Sequence, residues 1–488
     1  VVASAPEDAL VLKPAPPGRG TDAEAATREA LRFPLDGEPL EALARGARRA
    51  TILVQAPGLP TPSATGDPRQ RTIAAVSDAL EALGIATERQ TLLIACGLAR
   101  RASQREVTAL VAPGFARRFH GKVAVHDAEA PDLVVVDEAE EPALRVAPEL
   151  VDTDVVVVVS AAETVLHGGP ATLLAAANVG AQRLASAGAG SLLETSGSDG
   201  WRLAVRLERA LATRTKLFGI SLVLNHPQTV GLLRGYPYED EAVERIASSA
   251  LRLGFGALPE PLRRRMLGSL RLERTAAAVL GGPPSVAHAE ALLRGIELKH
   301  AVLDEPLDAL VIGIPHATPF LPREQPNPLA ATHLGLAHAL ALWRDEFPVA
   351  EGGIVILVDR FRRVFARPTQ QPYLPFFRQT PIARSPELLA AAEQATLADP
   401  RAIEDYRSGR TVHPALPFRE WDACRPALER LGSVYIAGAR DGAAARQLGF
   451  VAIGGIGAAL QMACGHRGPD PRIGFLLAPP YFPLKVGA

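Results

Sequence analysis

Five consecutive valines, residues 155–159, constrain this chain more than any other feature. A strand with one wet face alternates apolar and polar residues, because successive side chains point to opposite faces. An unbroken β-branched run buries both faces, as in a parallel sheet covered by helices on either side. Other short apolar runs at 51–54, 91–95, 132–136 and 218–225 precede or follow helical stretches such as 72–83, which stops at Gly84, and 104–111. Strands alternating with helices of that length predict a doubly wound α/β domain.

A second βα series begins near residue 309. Runs at 309–314, 353–358, 432–437 and 473–477 read as strands, and 330–343 reads as a helix. Residues 360–382, rich in Pro, Arg and aromatics, read as an excursion loop. The segment from about 238 to 300 is helical and charged, broken by Pro259, Pro261 and Gly281-Gly282-Pro283-Pro284. A chain of 488 residues holds two or three domains. The reading is an α/β protein of two domains with mainly parallel sheets flanked by helices and a cleft between them. Its divisions are a flexible arm over 1–22, an N-terminal domain over 23–235, a helical connection over 236–285 and a C-terminal domain over 286–488. Residues 155–159 are predicted to be a central strand.

Charge limits the partners. The net charge is -1, from 52 basic and 53 acidic residues, so no overall field attracts nucleic acid. Arg263-Arg264-Arg265 reads as a solvated helix face. No apolar run approaches the roughly 20 residues that span a bilayer, and the N-terminus does not read as a signal peptide. Cys96, Cys424 and Cys464 are too few and too scattered for a disulfide framework or a zinc site. Together these point to a cytoplasmic protein without a membrane partner, one that could form a homo-oligomer.

Ligands in open α/β sheets sit at the carboxyl ends of strands. Three loops there carry polar residues: Gln55-Ala56-Pro57-Gly58-Leu59-Pro60-Thr61-Pro62; the segment from Gly97 through Arg100 to Glu106; and Glu163-Thr164-Val165-Leu166-His167-Gly168-Gly169-Pro170. His167, just past the valine strand, reads either as an acid/base imidazole or as a loop histidine bonded to backbone. Gly168 and Gly169 open a helix whose N–H groups could take a carboxylate, or they form a plain strand-to-helix turn. His126-Asp127 and Asn225-His226-Pro227 read as turns. His316, His333 and His338 lie near one loop and helix, and the five-residue step from His333 to His338 is not the i,i+4 spacing of a helical metal site. Gly455-Ile456-Gly457 lacks the third glycine and the acidic residue of a dinucleotide fingerprint.

The ordered series resembles the nickel-pincer lactate racemase family across roughly residues 25–480. Thr61-Pro62 is similar to the end of the family's first segment. Gly97, Arg100 and Glu106 are similar to its second, 121–127 to its third, and His167-Gly168-Gly169 to the loop that carries a catalytic histidine. The resemblance implies isomerase chemistry on a 2-hydroxyacid, with His167 as catalytic residue. It also implies that Gly168, Gly169, Arg100, His338 and Asn327 contact the substrate, a small hydroxyacid or other small carboxylate. The family's cofactor is a lysine-linked nickel-pincer nucleotide. Here the family's first catalytic histidine falls on Ala99, its substrate-side lysine falls on His338, no lysine follows His167 before Lys216, and no nickel-ligand histidine lies between His167 and His226. The cofactor is therefore unknown, and no metal ligands are assigned. Two readings follow: a racemase or epimerase with an altered site, or a non-catalytic metabolite-binding protein of the same fold.

Overall fold

In the computed structural model the described residues are 9–56, 67–185, 190–259, 262–263, 265–266, 272–315, 325–366, 368–378, 385–467 and 471–487. Residues 57–62 of the first loop, and His316, lie outside them. Two six-stranded sheets organise the chain. The first runs in the order Ala276–Gly282, Lys216–Leu224, Val155–Ala161, Ala50–Gln55, Gln90–Ala95, Lys122–Val125. All its neighbours are parallel except the edge strand Ala276–Gly282, which is antiparallel to Lys216–Leu224.

The valine strand is central, and its burial follows the period of two. Val155, Val157 and Val159 enter one core with Ile73, Val76 and Leu80 of the helix Pro68–Ala82. Val156 and Val158 enter the opposite core with Leu203 and Leu207 of the helix Asp199–Ala212. Both faces are therefore dry, which is what an unalternated run requires.

The second sheet is entirely parallel: Leu10–Leu12, Ile473–Leu476, Leu307–Gly313, Val349–Val358, Ser433–Ala437, Val451–Ile453. One of its faces packs on Ala459 and Ala463. The other belongs to a core that also takes in Leu98, Ala162, Val165, Leu192 and Leu193 from the first half. Where a cleft was expected, this part of the boundary is continuous apolar packing.

Three local expectations differ from what is found. Residues 1–22 were read as a loose arm, because they lack apolar periodicity. Instead, Leu10–Leu12 is an edge strand paired in register with 474–476, and Thr21 pairs with Ala276 at the edge of the first sheet. Between them Asn225 clamps Gly18: its Oδ1 accepts from the Gly18 N–H at 3.0 Å, and its Nδ2 donates to the Gly18 carbonyl at 3.0 Å and to Thr275 Oγ1 at 2.8 Å. The segment therefore ties both sheets together. Within the span 236–285, read as helical, Ala276–Gly282 is a strand. The helix read over 330–343 is a short α-turn, Pro328–Thr332, that runs into a π-helix, His333–Ala339.

Substituting Asn225→Ala leaves the Gly18 amide and carbonyl without their partner. Gly18 is only half-buried, so a loss of about 1 kcal/mol is expected, the net worth of an ordinary hydrogen bond. Urea unfolding of the variant against the native protein measures it, and an unchanged midpoint would show that the arm is not held there.

Candidate functional site

The carboxyl ends of the first sheet's strands face the second half, and their loops converge on one carboxylate. Glu163, two residues past the valine strand, lies 3.5 Å from His167 Nε2 and 3.9 Å from both Arg69 and Arg274. Arg69 stands at the start of the helix Pro68–Ala82, whose N-cap is Asp67. Asp67 accepts from the Arg69 amide and from Nε, both at 3.0 Å, and pairs with the guanidinium at 2.5 Å. Burial pushes the Asp67 carboxyl up, but Arg69 outweighs it and holds it at about 2. Arg274 lies just before the antiparallel edge strand, 3.9 Å from Asp67 as well.

The loop carrying His167 is built from below. The Gly169 N–H donates to Ser160 Oγ at 2.8 Å, and His288 Nε2 bonds the Thr164 carbonyl oxygen at 2.9 Å. Gly168 and Gly169 both have positive φ, and a Cβ on either would come within 2.5 Å of His288. Their absence of side chains lets the loop close over that ring. The Gly169 amide is therefore already used and is not a free donor for a substrate carboxylate, and the helix it opens, Pro170–Leu174, is only five residues long.

The second half contributes an imidazole pair and an Arg-Glu pair. In a π-helix hydrogen bonds run from i to i+5, so His333 and His338 meet edge to face on one side of it, with ring centroids 4.6 Å apart. The spacing that did not suit an α-helix is thus what brings them together. His338 Nδ1 is buried without a hydrogen-bond partner. Burial first, then the neighbouring His167 and Arg419, lower its pKa to about 4. Burial likewise lowers His167, with Arg69 and Arg419 acting in the same direction and Glu163 opposing. Both imidazoles are therefore neutral near pH 7 and able to accept a proton. Next to Arg419 in the helix Leu416–Arg430, Glu420 accepts from the Tyr373 hydroxyl at 2.9 Å and lies 3.8 Å from His333 Nδ1. Burial raises it to about 7.

Among the described residues, positive charge exceeds negative charge here. Arg69, Arg274, Lys299 and Arg419 face the carboxylates of Asp67 and Glu163, with Glu420 near half-protonated at neutral pH. Among the described residues, neither Lys299 nor Arg419 has a hydrogen bond or ion pair at its charged end. Both side chains are half-buried, where charge without a partner is costly, and a bound anion would offset it.

Two other residues expected to touch a substrate have different work. Arg100 pairs with Glu106 and donates to the carbonyls of Arg101 at 3.0 Å and Gly409 at 3.2 Å, so it struts the two halves. Asn327, fully buried, caps the helix Pro328–Thr332: Oδ1 accepts from Leu329 and Ala330, and Nδ2 donates to Gln370. An Asn followed by Pro at a helix start is an N-cap signal, and the cap and Gln370 between them use both ends of the amide. Arg69, Arg274, Lys299, Arg419 and Glu420 escaped the sequence reading because they come from four separate parts of the chain, with only Arg419 and Glu420 sharing a helix.

The nickel-pincer group implied by the family resemblance needs a linking lysine and metal-ligating side chains. Among the described residues no three His, Cys, Asp or Glu side chains are placed to hold a metal ion, and the lysine in the cluster, Lys299, comes from the end of the helix Pro284–Lys299 rather than from the segment after His167. The residues present do not fit that group.

Buried neutral histidines set an acid limit. Burial lowers His126, His288 and His338 to about 4 and His226 to about 3, against roughly 6.5 in the unfolded chain. The unfolded state therefore binds more protons below about pH 6.5, and stability is lost as pH falls through that window. Glu420, at about 7, and Asp359, raised by burial to about 6, act oppositely, losing stability as pH rises. Four groups against two leave the acid loss dominant. Calorimetric melting is expected to show a lower Tm at pH 5 than at pH 7.5; an equal or higher Tm at pH 5 would contradict the neutral burial of these rings.

Residues 3–167 match the family described as the lactate racemase N-terminal domain. The structure of the lactate racemase apoprotein from Thermoanaerobacterium thermosaccharolyticum is similar with a TM-score of 0.61 at 13% identity, covering 99% of this chain and 97% of that one. A Thermotoga maritima protein is similar with a TM-score of 0.52 at 13% identity, covering 96% of this chain and 100% of that one. No curated protein sequence matches the chain. Residues 3–167 are thus similar to the lactate racemase N-terminal domain, and the chain shares the fold of the lactate racemase apoprotein along its whole length.

Proposed function

We propose that the chain binds a small 2-hydroxyacid, or a closely related small carboxylate, at the cationic cluster between its two halves, and that it acts there as an isomerase. The observation that carries the reading is the excess of positive charge, among the described residues, beside two neutral imidazoles contributed by different halves, His167 and His338. Arg419 is the cation available to the carboxylate, since it has no protein partner among the described residues. Interconverting two hands of a carbon requires proton-handling groups on both sides of it. His167 supplies one, held by Glu163. His338, whose Nδ1 is buried and unpartnered, supplies the other in place of the histidine that Ala99 lacks.

A second reading, binding without turnover, is favoured by one observation: the donor set for the family's metal group is not assembled. Solvent exchange separates the two. In deuterated water, an isomerase incorporates deuterium into both enantiomers of a small 2-hydroxyacid such as lactate; binding without exchange supports the second reading. Calorimetry tests the site itself. Arg419→Gln is expected to weaken lactate binding by about ten-fold or more, the worth of a hydrogen bond to a charged group, and His167→Ala to weaken it as well. Unchanged affinity in both variants would place the ligand elsewhere.

A further inference from the structure

The chain has five lysines among its 52 basic residues: Lys13, Lys122, Lys216, Lys299 and Lys485. Lys13 pairs with Asp240, Lys122 pairs with Glu149, Lys216 donates to the Leu43 carbonyl, and Lys485 is exposed. Lys299 differs from all four. Its side chain folds back along its own helix, and its Nζ lies 3.8 Å from where a Cβ on Gly295 would stand. The missing side chain four residues earlier leaves room for the amine, beside the Ala162 carbonyl that precedes Glu163. No hydrogen bond or ion pair reaches it among the described residues.

A second observation points to a ligand at the same place. His226, at the carboxyl end of the strand Lys216–Leu224, is 6% exposed, and both of its ring nitrogens are buried without a partner. Tyr238 and Phe482 pack edge-on at 5.4 and 5.7 Å, leaving those nitrogens to something other than the described side chains. Lys299 and Arg274 are the charged groups that act on this ring.

We propose that Lys299 captures a carbonyl: it forms an imine with a small 2-oxo acid whose carboxylate lies among the cations of the cluster. The inference rests on the carboxylate-binding reading above. In the step, the Nζ lone pair bonds to the carbonyl carbon as the π pair moves to oxygen. The two amine protons end on that oxygen, which leaves as water, and a C=N bond remains. His226 is the hydrogen-bond partner for that oxygen. Desolvation activates a lysine for such chemistry. Burial lowers Lys299 to about 8, with Arg274 adding to the effect and Glu163 opposing it, so about a tenth of it is neutral at pH 7, against fewer than one in a thousand for an ordinary lysine.

The experiment is reductive trapping of the full-length chain with pyruvate and cyanoborohydride at pH 7, followed by peptide mapping. The expected result is a reduced adduct at Lys299 about ten-fold or more above that at any other lysine, given its larger neutral fraction, suppressed by excess lactate and absent from Lys299→Met. Mapping on the native chain decides the matter should that variant fail to fold. An absent or evenly scattered adduct on a protein that binds lactate by calorimetry overturns the imine and leaves the carboxylate reading standing. Neither adduct nor lactate binding overturns both. Labelling of Lys299 by propanal but not by pyruvate overturns the 2-oxo acid as ligand class.

Discussion

Much of the site hangs on the carboxylate of Glu163. It is placed where the central strand of the first sheet ends, and it meets His167, Arg69 and Arg274 within 4 Å. A carboxylate this deeply placed needs opposite charge beside it, and two guanidinium groups supply it. Those cations come from a helix N-terminus and an edge strand, so the ion cluster also fixes how the loops of the first sheet are arranged. With Asp67 it accounts for two of the four positive charges. The other two, Lys299 and Arg419, come from the end of one helix and from the second half, and they set the character of the space between.

That space joins two architectures with different tasks. The first sheet supplies strand ends and loops, the usual address for ligands in open α/β sheets. The second half supplies a wall: a π-helical turn with two imidazoles edge to face, and a helix carrying Arg419 and Glu420. A π-turn widens the backbone by one residue, and here it aligns His333 with His338. Elsewhere along the same boundary the halves share one apolar core, and residues 10–21 run from the edge of one sheet to the edge of the other. The polar site is therefore set into a packed interface.

Residues that looked chemical by type divided according to whether their polar atoms were already used. Asn327 and the Gly169 amide satisfy backbone or side-chain partners, as do both terminal nitrogens of Arg100, whose Nε has none. His338, His226, Lys299 and Arg419 do not. In a folded interior nearly all polar groups are paired, so an unpaired one is the better pointer to a ligand. Pairing of this kind is invisible in a linear text.

The sequence by itself determined the layered α/β plan. Five valines without alternation dictated a strand dry on both faces, and the repeating strand-helix text dictated parallel sheets, because side-chain period and burial are local properties of the chain. It also marked His167, which stands at a strand end. Only the tertiary structure decided the rest. It turned residues 10–12 into an edge strand, since an edge needs only a partner and no periodicity of its own. It brought His338 to His167 through a π-turn that α-helical spacing does not foresee. It gathered Asp67, Glu163, Arg274, Lys299 and Arg419 from distant positions, because electrostatic pairing acts through space and leaves no spacing rule in the sequence.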